Sequence, residues 1–106
     1  MVSQGDIVVI SFDPSIGHEQ RKTRPALIVS NDAFNLNCGG MVLVCPISHS
    51  HPFPTHIQLP DSMKTDGMVL CDQMKSMDIG TRQYEFLEKV SPVFLNQVLE
   101  LIHKLF

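Results

Sequence analysis

The chain contains no tryptophan and one tyrosine, and aromatic residues make up only 7% of its 106 positions. Cysteine is scarce too. Its three copies, an odd number with no Cys-x-x-Cys pair, give no disulfide framework and fit a reducing cytosol. Cys45 and Cys71 lie within apolar runs, where a free cysteine behaves as a small hydrophobe. Long hydrophobic runs are missing. The longest, Met41 to Cys45, falls far short of the ~20 residues that span a bilayer. The opening Met-Val-Ser-Gln-Gly-Asp has neither a basic region nor an apolar signal core, so the expected location is cytoplasmic and off the membrane. Basic charge is also short, eight Lys and Arg against eleven Asp and Glu for a net charge of −3. That excludes a broad basic face for nucleic acid. A local one remains, because the basic residues of the first half, Arg21, Lys22 and Arg24, all lie within four positions.

What is present is a globular composition. Apolar residues are 43% of the chain and charged residues 18%, and 106 residues make one domain, 1–106. A chain of this length buries enough surface to fold without disulfides or metal. Runs rich in β-branched residues predict strands at 6–12, 25–30 and 41–47, with weaker ones at 55–59, 68–72 and 86–90. Continuous apolar character in the first three implies burial on both faces, as in a small barrel. Asp13-Pro14-Ser15-Ile16-Gly17, Asn37-Cys38-Gly39-Gly40, Pro52-Phe53-Pro54 and Asp66-Gly67 separate them as turns. At the C-terminus the period changes. Ser91 suits a helix N-cap and Pro92 the first helical position. Leu95, Val98, Leu99, Ile102, Leu105 and Phe106 follow at helical spacing. Six strands and one terminal helix predict a mostly β (α+β) domain, an SH3-like small β-barrel closed by a C-terminal α-helix.

Chemistry concentrates in Gly17-His18-Glu19-Gln20-Arg21-Lys22-Thr23-Arg24. Composition alone also suits a solvated hairpin tip. Arg24, however, precedes Pro25, which biases it towards an extended conformation at a strand edge. A guanidinium held there presents a planar fork that matches phosphate oxygens. His18 and Glu19 are near enough in sequence to supply acid–base groups for phosphoryl chemistry.

The segments Gly5–Pro14, Gly17-His18-Glu19-Gln20 and Thr23-Arg24-Pro25-Ala26-Leu27-Ile28-Val29-Ser30 resemble the MazF/PemK (Kid-like) toxins of type II toxin–antitoxin systems. Cys45-Pro46-Ile47-Ser48, Pro54-Thr55-His56 and Cys71-Asp72-Gln73-Met74-Lys75-Ser76-Met77-Asp78 extend the resemblance, in the family's order and spacing. It implies a barrel of the MazF/CcdB type, a homodimer, and metal-independent, sequence-selective cleavage of single-stranded RNA without a cofactor. The ribose 2′-hydroxyl attacks the scissile phosphate, leaving a 2′,3′-cyclic phosphate and a 5′-hydroxyl. The resemblance places the family's central arginine on Arg24, its usual threonine on Ser48 and its glutamate on Glu19. A second version of the family's site uses a histidine, an arginine and an aspartate. His18 and Asp72 match two of these, whereas Leu70 stands where the arginine would be, so that version does not transfer whole. Gln20, Arg21, Lys22, Gln73 and Lys75 are the candidate RNA contacts. A cognate antitoxin of the MazE/PemI type, with an acidic C-terminal tail, is the implied protein partner.

Asp72 and Gln73 equally suit a strand-ending turn. His49, His51 and His56 have loose spacing and no recognised zinc pattern, so no metal site is assigned. His49, His51 and Phe53 have the ring faces that stack on single-stranded bases. Two other functions compete. A CcdB-type gyrase poison relies on a C-terminal Trp-Gly-Ile, and this chain ends Lys104-Leu105-Phe106. A catalytically silent SH3-like binding module has no need of Arg24 and Ser48 together.

Overall fold

Alternation of buried side chains explains the sheet. The computed structural model describes residues 2–11 and 23–106. In chain order these form β1 (Asp6–Ser11), β2 (Thr23–Ile28), α1 (Asp32–Asn37), β3 (Met41–Ser48), β4 (His56–Gln58), β5 (Met68–Leu70), a 3-10 turn (Cys71–Gln73), β6 (Lys75–Asp78), β7 (Tyr84–Lys89) and α2 (Pro92–Leu105). All strand pairs are antiparallel. The strand order is β4-β5-β3-β2-β1-β7, and β6 pairs with β3 beside this path.

Successive residues of a strand point to opposite faces. Ile7, Leu27, Cys45, Ile47 and Val69 therefore join one core cluster, while Val8, Ile10, Ala26, Ile28, Val42 and Val44 join another. Burial on both faces is what the unbroken apolar runs predict. Phe94 and Val98 of α2 cover the first cluster, with Leu59 and Val90 beside them. The helix starts as expected, with Pro92 in its first turn and Phe94 N donating to Ser91 Oγ at 3.1 Å. Its last turn departs from expectation. Leu105 and Phe106 are 38% and 77% exposed, and Phe94 fills the core position that the spacing did not assign.

Boundaries also shift, and two elements are added. β2 begins at Thr23 rather than Pro25, so Arg24 lies inside the strand, paired with Ile10. The extended bias of a residue before proline lets it join the ladder. The predicted strand 68–72 ends at Leu70, where the chain turns through Cys71–Gln73. A seventh strand, β6, then pairs with β3 from Met41 to Val44. A short helix, α1, follows β2, its N-cap Asn31 accepting from Phe34 N at 2.8 Å. None of the described helices is long and apolar enough to cross a membrane.

Candidate active site

Register assembles the site on one face. The β2–β3 ladder pairs Ala26 with Pro46, Leu27 with Cys45 and Ile28 with Val44. Extended by two residues, the same register sets Arg24 opposite Ser48. Pro25 has no N–H to donate, which explains why the regular ladder stops short of this pair. Across β3, Ser48 pairs with Met68, and Met68 with Gln58. One row therefore runs Ile10, Arg24, Ser48, Met68, Gln58 over five strands. The adjacent row on the same face runs Val8, Ala26, Pro46, Leu70, His56, continuing the same registers. This face carries the second core cluster and lies opposite the face that α2 covers. Arg24 and Ser48 are both half-buried.

Asp72 sits on the 3-10 turn that follows β5, and His56 reaches it across the β4–β5 pair. His56 Nε2 lies 3.4 Å from Asp72 Oδ1, with the two side chains 11% and 39% exposed. The other ring nitrogen, Nδ1, is 3.2 Å from both Ser50 Oγ and the His51 carbonyl oxygen. Phe53 packs at a tilt against the ring, centroids 5.5 Å apart. With strands ~4.8 Å apart and ~3.3 Å of rise per residue, the His56 and Ser48 backbones are about 12 Å apart. Gln73 follows Asp72 on the turn, and Lys75 pairs with Val44 on β6, both exposed. His18, Glu19, Gln20, Arg21 and Lys22 lie outside the described residues.

Sequence reading missed two parts of this face. The spacing of His49, His51 and His56 does not set His56 apart, although its ring is largely enclosed. Tyr84 and Phe86 on β7 pair with Ile10 and Val8, which places two exposed aromatic rings beside the Arg24 row. The alternation Tyr-Glu-Phe was the available signal, since it marks a strand with one aromatic face. The other histidines behave differently. His49 lies 3.9 Å from Asp66 with both side chains almost fully exposed, a geometry that contributes little. Among the described residues, no three His, Cys, Asp or Glu side chains converge as metal ligands would.

A cleft of about 350 Å³ opens beside Pro25, His49, Thr65, Leu87 and Glu88. By strand alternation Pro25 lies opposite Arg24's face. Glu88 is already committed there. It accepts from Thr65 Oγ1 and Thr65 N, both at 2.6 Å, and from Lys64 N at 3.2 Å. The Thr65 hydroxyl is the main cause of its depressed pKa, and the two backbone N–H groups and the Lys64 charge add to it. In the core beneath β3, Cys45 and Cys71 are fully buried in one cluster, and Cys71 Sγ donates to Val69 O at 3.9 Å. The neighbouring Cys71 thiol and burial hold the Cys45 thiol far above its ordinary range, so it is an inert packing group.

Residues 3–106 match the family described as PemK-like, MazF-like toxin of type II toxin–antitoxin system. The chain is 35% identical over 103 residues to the endoribonuclease PemK of Escherichia coli, covering 92% of this chain and 77% of that protein. It is 41% identical over 88 residues to the endoribonuclease toxin ChpB of Escherichia coli K12, covering 74% and 72%. Among solved structures, MazF from Deinococcus radiodurans superposes with a TM-score of 0.84 at 31% identity, over 98% of this chain and 94% of that one. A MazE–MazF structure from the same organism gives a TM-score of 0.86 at 31% identity over the same shares.

Proposed function

The chain belongs to the PemK-like, MazF-like toxin family of type II toxin–antitoxin systems; it is an endoribonuclease toxin, and we propose that the Arg24–Ser48 face is where it cuts single-stranded RNA. The observation that carries this reading is the register. It brings the one arginine of β2 and the terminal serine of β3 to opposing positions on the same face.

Cleavage by 2′-hydroxyl attack needs a base for that hydroxyl, an acid for the departing 5′-oxygen and donors for the charge that builds on the phosphate. Arg24 supplies the donors. A guanidinium stays protonated, so it serves poorly as a base and well as a bidentate phosphate clamp. Ser48 adds a hydroxyl donor from the neighbouring strand. Glu19 or His18 and, across the face, Asp72 are the groups for proton transfer. Gln20, Arg21, Lys22, Gln73 and Lys75 hold the flanking RNA, and Tyr84 and Phe86 offer faces for its bases.

The family resemblance implies an antitoxin with an acidic tail, and charge suggests where that tail binds. A protein of net charge −3 has reason to bind an acidic tail only through a local basic patch. Arg21, Lys22 and Arg24, within four positions of one another in the sequence, supply its charge. A cognate antitoxin therefore occupies the RNA face with carboxylates in place of phosphates, a reading that the similarity to the MazE–MazF structure supports. The active toxin acts in the cytoplasm as a homodimer of single-domain chains.

The test is the end chemistry. Purified protein incubated with single-stranded RNA in excess chelator should leave 2′,3′-cyclic phosphate and 5′-hydroxyl ends. Products with 5′-phosphate ends, or cleavage that stops on chelation, would overturn the metal-free transesterification.

A further inference from the structure

We infer that His56 is a positioning residue for RNA cleavage, holding the Asp72 carboxylate at the edge of the active face. The inference rests on the proposed acid–base role of Asp72. It begins with a short strand tied tightly to a turn. His56 pairs with Leu70, and the 3-10 turn bearing Asp72 starts at the next residue. Cys71 N donates to Thr55 O at 3.1 Å, so both residues beside the His56–Leu70 pair are joined as well. The backbone of the turn is thereby fixed relative to β4.

The ring is fixed in turn. His51 O and Ser50 Oγ meet Nδ1, Phe53 leans on the ring, and only 11% of the side chain meets solvent. The remaining nitrogen, Nε2, lies 3.4 Å from Asp72 Oδ1. An exposed carboxylate on a turn would otherwise sample several rotamers, and each departure from the productive one lowers the rate. A ring held on one side and lying against the carboxylate on the other is what such positioning requires. His56 is the enclosed member of the pair and Asp72 the open one, so His56 acts through Asp72.

A double-mutant cycle tests this. Asp72→Asn, His56→Leu, His56→Asn, His56→Gln and the His56→Leu/Asp72→Asn pair are compared by kcat and KM on one RNA, with folding checked by thermal melting. His56→Leu should lower kcat by about 10- to 100-fold with KM little changed. His56→Asn, whose arm is too short, should do the same and serves if the leucine variant does not fold. His56→Gln, whose amide nitrogen occupies the place of Nε2, should recover most of the loss. The double variant should be no slower than Asp72→Asn alone, because the two residues act as one unit. If His56→Leu and His56→Asn cleave at the wild-type rate while Asp72→Asn is impaired, the positioning role is wrong and the reading of Asp72 stands. Multiplying losses in the double variant, or a change confined to KM, would overturn it too, showing His56 acting on its own. Wild-type cleavage by Asp72→Asn would instead remove the Asp72 role itself.

Discussion

Replacing Gly67 with alanine probes how firmly the fold holds Ser48. Gly67 has a φ of +126°, a conformation L-residues rarely adopt, and a non-glycine residue held there costs about 1–3 kcal/mol. Space is short as well. A Cβ on Gly67 would lie 3.1 Å from Ser48 O, 3.2 Å from Ser48 C and 3.2 Å from Ile47 Cγ2. Two of these are backbone atoms of β3, so relief requires moving the strand that presents Ser48. Overpacking of this kind adds about 1–3 kcal/mol. Gly39 is the control. Its φ is +65° and a Cβ there meets nothing within 4 Å, so alanine pays only the left-handed penalty, about 1 kcal/mol. In a domain of this size each kcal/mol moves Tm by about 4–8 °C. Gly39→Ala should therefore melt roughly 5 °C lower than wild type, and Gly67→Ala roughly 15 °C lower or more. Circular dichroism melts read the stability. Cleavage at a temperature where both variants are folded reads the displacement of Ser48, and only Gly67→Ala should be slow. Equal melting temperatures for the two variants, with equal cleavage, would refute the reasoning.

Glu88 gives a pH signature. Its pKa is depressed by the folded state, mainly through the Thr65 hydroxyl, so its contribution is full above the unfolded glutamate value of about 4.3 and is lost as pH falls through the lower folded value. Tm measured from pH 6 to pH 3 should fall more steeply for wild type than for Glu88→Gln; parallel curves would show that the Thr65 contact adds no stability. The three cysteines should separate by alkylation. Native protein should take one label, at exposed Cys38, and denatured protein three, whereas rapid native labelling of Cys45 or Cys71 would contradict their burial.

The parts of the fold that were legible in the sequence are those where local chemistry and tertiary demand agree. Ile7–Ile10, Ala26–Val29 and Val42–Ile47 are apolar at both parities, and the sheet is buried on both faces there. Ser91 and Pro92 start a helix by local rules alone, and the helix starts there. β6 was invisible because Lys75–Asp78 holds one buried apolar residue, Met77; pairing with β3 makes it a strand. α1 is six residues long, too short for a helical period to show. Leu105 and Phe106 keep the right spacing, but the core ends before them. Within the site, Arg24 stands out by its place before Pro25 in the basic cluster, Ser48 only through family resemblance, and their opposition needed the β2–β3 register. The contact between His56 and Asp72 joins two residues far apart in the chain. It depends on the β4–β5 register and on the turn that ends the predicted strand 68–72 at Leu70, neither of which the sequence pattern specifies.

The central claim is that Arg24 stabilises charge on the scissile phosphate from its place in β2, and single-turnover cleavage by Arg24 variants tests it most directly. Arg24→Ala should fold normally, because the side chain is only half-buried at the start of a strand, yet cleave about 10²–10³-fold more slowly. Arg24→Lys should regain little of that rate, since it keeps the charge and loses the fork. A folded Arg24→Ala protein cutting RNA at the wild-type rate would contradict the account.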